Sequence, residues 1–290
     1  MKEHVLNSFL CITMLFSFSV LDCHAKKLNI KCMTLNLRYD NKKDGLNRWN
    51  NRRKDVINFV QNENVDIICF QEVLHNQLMD LVSDLYSYSY VGVGREDGNM
   101  RGECVPVFYR KDKFTKVTDG TFWLSEHPNI VGSVGWDASL PRIATWIKLK
   151  DKKTGSVFYI MNTHFDHKGH KARKESARLI KEWFESRMPN NPFVLAGDLN
   201  VNMHSETYRI LSTDTRLMRD SYNISKIKDG VGYTFHDFGK KQEADRSKID
   251  YIFVSPSLRV RKLSIPREIP HHGVYLSDHN PIVVWLQLYK

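Results

Sequence analysis

At 290 residues, the chain has the length of one large domain or two small ones. Its 41% hydrophobic and 26% charged residues exclude a disordered chain and indicate a real core. A net charge of +10 suits an anionic partner such as a phosphate ester, and suits plain solubility equally well.

The N-terminus reads as a secretory signal peptide over residues 1–25. Lys2 gives a weak positive start, Val5 to Leu21 is an apolar run, and Cys23-His24-Ala25 offers a cleavage site before Lys26-Lys27. This predicts a secreted or periplasmic protein. A lipidated Cys23 or an uncleaved anchor is the rival reading, and no later stretch is apolar enough to span a membrane. Cys32, Cys69 and Cys104 remain beyond the leader. Three thiols do not make a disulfide framework, and without a C-x-x-C pair they argue against zinc.

Residues 26–290 show no repeat or linker, so they are expected to form one domain. Leu28–Leu35 is strand-like. Asn51–Glu63 is helical, with Val56, Ile57, Phe59 and Val60 on one face. Val65–Phe70 suits a buried strand, and Leu74, Leu78, Leu81, Val82 and Leu85 recur at helical spacing. The middle is strand-rich: Val105–Tyr109, Thr121–Leu124, Arg142–Lys150 and Val157–Thr163, the last two joined by a turn at Asp151–Gly155. Lys171–Arg187 is a helix carrying Leu179, Ile180, Trp183 and Phe184 on its apolar side. Phe193–Ala196, Ile249–Val254, Val260–Ser264 and Ile282–Leu288 are the later strands. So many strands with few helices predict two sheets packed face to face with helices outside.

The notable polar residues share one placement, at strand ends. Asn36, Gln71-Glu72, His164 and Gly197-Asp198-Leu199-Asn200 each follow an apolar run. Asp250 heads one, and Ser277-Asp278-His279-Asn280 precedes the last. Strand ends can converge on one edge of a sandwich and present a site. Each alone has a bland reading as a turn or cap residue, and His127, His204 and His236 are read as satisfied surface or core side chains.

The ordered set is more specific. Thr34-Leu35-Asn36-Leu37-Arg38, Phe70-Gln71-Glu72, Asn162-Thr163-His164, Gly197-Asp198-Leu199-Asn200, Ile249-Asp250-Tyr251-Ile252-Phe253 and Ser277-Asp278-His279-Asn280-Pro281 resemble the signature blocks of the endonuclease/exonuclease/phosphatase superfamily. The resemblance implies an α/β (α+β) four-layer sandwich of two mixed sheets. It also implies hydrolysis of a phosphate ester by an activated water, dependent on Mg2+ or Mn2+.

By the same resemblance Glu72 is the principal metal ligand, with Asp278 and Asn36 in support; hard cations prefer such oxygen donors. Asp198 orients or deprotonates the water, and Asn200 and Asn36 contact the phosphoryl group. Asp250 holds His279 in its charged form. Glu103 is the expected carboxylate partner of His164, which would protonate the leaving oxygen. Arg142, opening a strand after Trp136-Asp137-Ala138-Ser139-Leu140-Pro141, resembles a phosphate-contacting position. His164, His167 and His170 look like a metal cluster, but His167 and His170 lie in a Gly-containing loop, which disfavours zinc.

Three functions compete: a monomeric phosphoesterase acting on a small-molecule, lipid or glycan phosphate; a secreted non-specific endonuclease, since nucleic acid suits the positive charge; and a catalytically silent phosphate-binding module. The acidic residue that abasic endonucleases carry soon after the first Asn is replaced here by Leu37-Arg38-Tyr39-Asp40, which leaves a second metal open. The style of the blocks is closest to a bacterial secreted branch.

Overall fold

In the computed structural model, residues 27–187, 191–267 and 270–288 are described. The expected signal peptide, residues 1–25, lies outside them. Thirteen strands among these residues form two mixed sheets. The first sheet holds β1 (Asn29–Asn36), β2 (Ile67–Gln71), β3 (Tyr88–Val91), β4 (Val107–Arg110), β10 (Lys228–Gly230), β12 (Leu258–Ile265) and β13 (Ile282–Leu288), in the order β10-β12-β13-β1-β2-β4-β3. The second holds β5 (Phe114–Trp123), β6 (Ile143–Asp151), β7 (Val157–His164), β8 (Phe193–Asp198), β9 (Arg219–Asp220) and β11 (Asp250–Val254), in the order β5-β6-β7-β8-β11-β9.

Side-chain alternation explains the layering. In β1, Ile30 and Cys32 face the opposite sheet, and Met33 and Leu35 face outward under helices. The central core joins inward residues of both sheets, among them Ile67, Val284, Ile160, Val194 and Ile252. Outside the first sheet, α1 (Trp49–Glu63) and α2 (His75–Asp84) bury Trp49, Val56, Val60, Leu78 and Leu81. Outside the second, α3 (His170–Arg187) and α4 (Glu206–Ser212) bury Ile180, Trp183, Phe184, Tyr208 and Leu211. This is the four-layer sandwich expected. Strands buried on both faces read as unbroken apolar runs, and those runs located β2, β7, β8 and β11 in the sequence.

Three elements have no such signal. The first seven residues of β5 lie on an edge with Thr115 to Asp119 exposed, so no alternation marks them. β3 is a short edge strand. α4 spans only two turns.

A buried polar bridge joins the sheets beneath the strand ends. Gln71 Nε2 donates to Asn162 Oδ1 at 2.7 Å, and Asn162 Nδ2 donates to the carbonyls of Phe70 and Pro106 at 2.7 and 2.9 Å. Gln71 Nε2 also reaches Thr34 Oγ1 at 3.0 Å. Both amides are fully buried, so removing one strands its partners in the core. Asn162→Ala is expected to lower the unfolding free energy by about 3 kcal/mol, the sum of three lost bonds. Chemical denaturation measures it; a loss below ~1 kcal/mol would mean the bridge does not hold the sheets.

Candidate active site

The expected residues come from both sheets and meet at one end of the sandwich. Asn36 ends β1, Glu72 follows β2, His164 ends β7, Asp198 ends β8 and Asp250 begins β11. Asp278 and His279 precede β13. They surround a cavity of about 480 Å³ lined by Glu72, Glu103, His164, Asp198, Asp278 and His279, with Arg38, Tyr39, Leu140, Arg142 and His167 among the remaining walls.

Local backbone geometry aims these groups. Gly197 has φ +149°, and a Cβ there would sit 2.0 Å from the Thr163 carbonyl, so only glycine lets β8 approach β7 just before Asp198. Glu72 and Asn200 occupy the left-handed region at φ +59° and +52°. Asn tolerates this; for Glu72 it costs about 1–3 kcal/mol, a strain that functional sites commonly store.

Asn36 is the hub. It is fully buried, and its Nδ2 donates to Glu72 Oε1 and Asp198 Oδ2, each at 3.0 Å. Its Oδ1 accepts from the Arg38 amide at 2.9 Å, which fixes the amide's orientation. Glu72 Oε2 accepts from the Tyr39 amide at 3.1 Å. Asp198 Oδ1 accepts from the Asn200 amide at 2.8 Å.

Asp250 and Asp198 are cross-strand partners in the β8–β11 register. His279 Nδ1 donates to Asp250 Oδ2 at 2.8 Å, as the pairing expectation requires. Its Nε2 lies 3.8 Å from Asp198 Oδ2. Burial opposes charge on His279, but the carboxylates of Asp250, Asp278 and Asp198 together outweigh it, and the pKa is pushed up to about 10. Burial and then Asp250 push Asp198 up to about 7, against His279 and the bonds from Asn200 and Asn36. Asp278 is raised as well, by burial and Glu72, although His279 and Arg38 pull it down.

The second histidine behaves differently. The expected bond between Glu103 and His164 is not made: the carboxylate lies 4.0 Å from His164 Nδ1. Arg95 takes Glu103 instead, through two bonds at 2.7 and 3.0 Å. Arg95 itself is pinned by Trp123 Nε1, which donates to its carbonyl. His164 Nδ1 is buried without a protein partner, while Nε2 meets Asn200 Nδ2 at 3.0 Å. Because the same Nδ2 also donates to the Phe165 carbonyl, Asn200 is the donor and His164 the acceptor. Burial, then Arg142 and Arg95, hold His164 well below the ordinary imidazole range. Both amide hydrogens of Asn200 are thus engaged within the protein, whereas the sequence reading gave them to a phosphoryl oxygen.

Arg142 is nearly buried. It donates to Asp166 Oδ2 at 3.3 Å and to His167 Nδ1 at 3.0 Å, and its Nη1 has no protein partner. His170 Nδ1 accepts from Arg173. The three histidines around residue 167 therefore serve three different partners and form no metal cluster. Among the described residues, Asp198, Asp250 and His279 offer ligand atoms within 4.8 Å of one another and could hold an ion. Doing so would demand the proton that Asp250 keeps on His279. Glu72 and Asp278 present hard oxygen donors to the cavity, raise each other's negative potential, and fit a divalent cation without that demand. Gln71 was placed at a strand end with Glu72 but given no role, and Arg95, in a hairpin with no motif around it, escaped the sequence reading of the site.

A profile of the Endonuclease/Exonuclease/phosphatase family matches residues 33–279. A solved endonuclease/exonuclease/phosphatase from Bacteroides vulgatus superposes with a TM-score of 0.88 at 46% identity, covering 91% of this chain and 100% of that one. The Bacteroides thetaiotaomicron mannosyl-6-phosphatase superposes with a TM-score of 0.82 at 37% identity, covering 89% and 99%. An uncharacterized Acanthamoeba polyphaga mimivirus protein is 28% identical over 266 residues, 82% of this chain and 91% of its own length.

The charge on His279 is directly measurable. Its ring nitrogens, followed by NMR, should stay protonated through neutral pH and titrate near 10. Asp250→Asn should lower that transition by about two units, the scale of one lost close carboxylate. An imidazole titrating in the ordinary range in the unsubstituted protein would dissolve the pair.

Proposed function

The chain belongs to the endonuclease/exonuclease/phosphatase family of phosphoesterases, and from that premise we propose that it hydrolyses a phosphate monoester of a sugar or glycan, releasing inorganic phosphate and leaving the hydroxyl. The observation that carries this reading is the acid- and histidine-lined cavity of about 480 Å³, of the size that holds a small ligand. The 37% identity to a mannosyl-6-phosphatase across nearly its whole length supports it. The export reading of residues 1–25 belongs to the same proposal and suits an extracytoplasmic glycan.

A divalent cation held by Glu72 and Asp278, with Asn36 behind Glu72, would neutralise phosphate charge and polarise a phosphoryl oxygen. Asp198, with a pKa near 7, orients the attacking water and takes its proton. Asn36 and the Asn200 amide fix both oxygens of that carboxylate, so its aim does not wander. His279 remains an imidazolium and offers its Nε2 proton to the charge that builds on the phosphoryl group. Arg142 lines the same cavity and keeps a guanidinium nitrogen, Nη1, without a protein hydrogen-bond partner. His164 is neutral here. A phosphate dianion beside Arg142 would offset the guanidinium field and raise its pKa, which makes proton donation to the leaving oxygen depend on substrate.

A substrate panel tests the reading: mannose 6-phosphate, glucose 6-phosphate, nitrophenyl phosphate, bis-nitrophenyl phosphate and plasmid DNA, each with Mg2+, Mn2+ or chelator. Hexose 6-phosphates should be cleaved fastest and chelation should abolish turnover; faster nicking of plasmid would overturn the assignment. Asp198→Asn should cut kcat by about a thousandfold, the scale of a lost general base. Glu72→Ala should instead raise the Mg2+ needed for half-maximal rate.

The pH profile gives an independent check. kcat/KM should rise through about 7 as Asp198 loses its proton, and fall through about 10 as His279 loses its own. Asp250 raises both groups, so Asp250→Asn should move both limbs to lower pH. Limbs that stay in place would separate Asp250 from the reaction.

A further inference from the structure

A second cleft lies at the opposite end of the sandwich, with a volume of about 600 Å³. Five cations line it: Arg219, Lys226, Arg259, Arg261 and Lys262. The indole of Trp285 completes the wall, and no carboxylate lines the cleft. Beside Lys226, Ile227 is 58% exposed. Lys262 pairs with Asp229 at 3.4 Å, and Lys31, over the Trp285 ring, pairs with Glu63. Lys226, Arg259 and Arg261 have no ion pair among the described residues.

Backbone register explains the clustering. Val260 and Leu263 of β12 point into the core, and a bulge between Val260 and Lys262 leaves Arg261 exposed and Lys262 half-exposed. Arg259, Arg261 and Lys262 therefore share the outer side, beside Trp285 on the neighbouring strand. Cations around an indole and an exposed isoleucine are the side-chain mixture suited to the interface between headgroups and acyl chains.

The chain's own course favours a membrane over a soluble polyanion. Leu258, in the cleft wall, is the register partner of Leu288, whose amide donates to the Leu28 carbonyl. The described chain thus begins, at Lys27, at the same end of the sheet. On the reading in which the leader stays attached, as an uncleaved anchor or through a lipidated Cys23, this end of the sheet is the one tethered to a membrane. Asn36, at the other end of β1, is seven residues along from Asn29, roughly 23 Å at the rise of an extended strand.

We propose that this basic cleft is a docking surface for an anionic lipid bilayer. It acts at the end of the sheet where the described chain begins, and turns the catalytic cavity away from the membrane. Each cation near such a surface strengthens binding about fivefold, and the attraction is screened by salt.

The test uses the full chain and vesicles of pure phosphatidylcholine, or of phosphatidylcholine and phosphatidylglycerol in equal parts. Wild type should partition more strongly to the anionic vesicles, and salt should erase the difference. The triple variant Arg259→Glu/Arg261→Glu/Lys262→Glu should lose on the order of a hundredfold in that partitioning. Its binding to neutral vesicles, its melting temperature and its hydrolysis of nitrophenyl phosphate should be unchanged. Equal partitioning of variant and wild type to anionic vesicles would overturn the proposal, because the apolar segment would then account for all binding. A charge-dependent hold on heparin without preference for anionic over neutral vesicles would overturn it too, and assign the cleft to a soluble polyanion.

Discussion

Crowded negative charge is the constraint to which the catalytic end of this protein answers. Strand ends and their flanking loops bring Glu72, Asp198, Asp250 and Asp278 to one end of the sandwich, and the hairpin that carries Arg95 adds Glu103. Left unrelieved, such a set would repel itself and resist burial. Each carboxylate has a specific counterweight. Asn36 donates to Glu72 and Asp198 without adding charge of its own. His279 carries a proton between Asp250 and Asp198. Arg38 stands 4.0 Å from Asp278, and Arg95 clamps Glu103. An Asp in place of Asn36 would turn two hydrogen bonds into two repulsions. What remains unbalanced is the potential around Glu72 and Asp278, where a divalent cation would be most welcome.

The two histidines show that environment, rather than residue type, sets the proton. Both are nearly buried and both lie within 4 Å of Asp198. His279 faces three aspartates and is charged. His164 faces Arg142 and Arg95 and is neutral. The separation suits acid and base chemistry in a single cavity, since one group keeps a proton at neutral pH and Asp198, near 7, can exchange one.

Much of this was legible in the chain. Apolar runs located the strands buried on both faces, and the polar residues at their ends located the site, because a sandwich must deliver strand ends to an edge. The Asp250–His279 pair followed from the family resemblance and is present at 2.8 Å. Where the reading missed, side-chain competition was the reason. Glu103 was matched to His164, but a guanidinium eight residues earlier reaches it first, and bidentate geometry outbids a neutral imidazole. Asn200 lines the cavity, where a substrate contact would stand, but its amide hydrogens also meet His164 and Phe165. Blocks of sequence carry the order of residues along strands. They carry nothing about which of several partners a side chain reaches.

The same distinction bears on substrate identity. The groups proposed for water activation and charge stabilisation sit on strand ends, where Gly197 and the Gln71–Asn162 bridge leave little room for variation. Other cavity walls come from segments outside the strands. Glu103 belongs to the hairpin that carries Arg95, and Leu140 and Arg142 close the long connection after β5. Loops tolerate change that a doubly buried strand does not. A family built this way holds its reaction constant and alters its substrate at the rim. The blocks at residues 36, 72, 198 and 279 therefore speak to phosphoester hydrolysis, and the walls outside the strands, among them Tyr39, Glu103, Leu140, Arg142, Phe235 and Asp237, are where a change of substrate would be written.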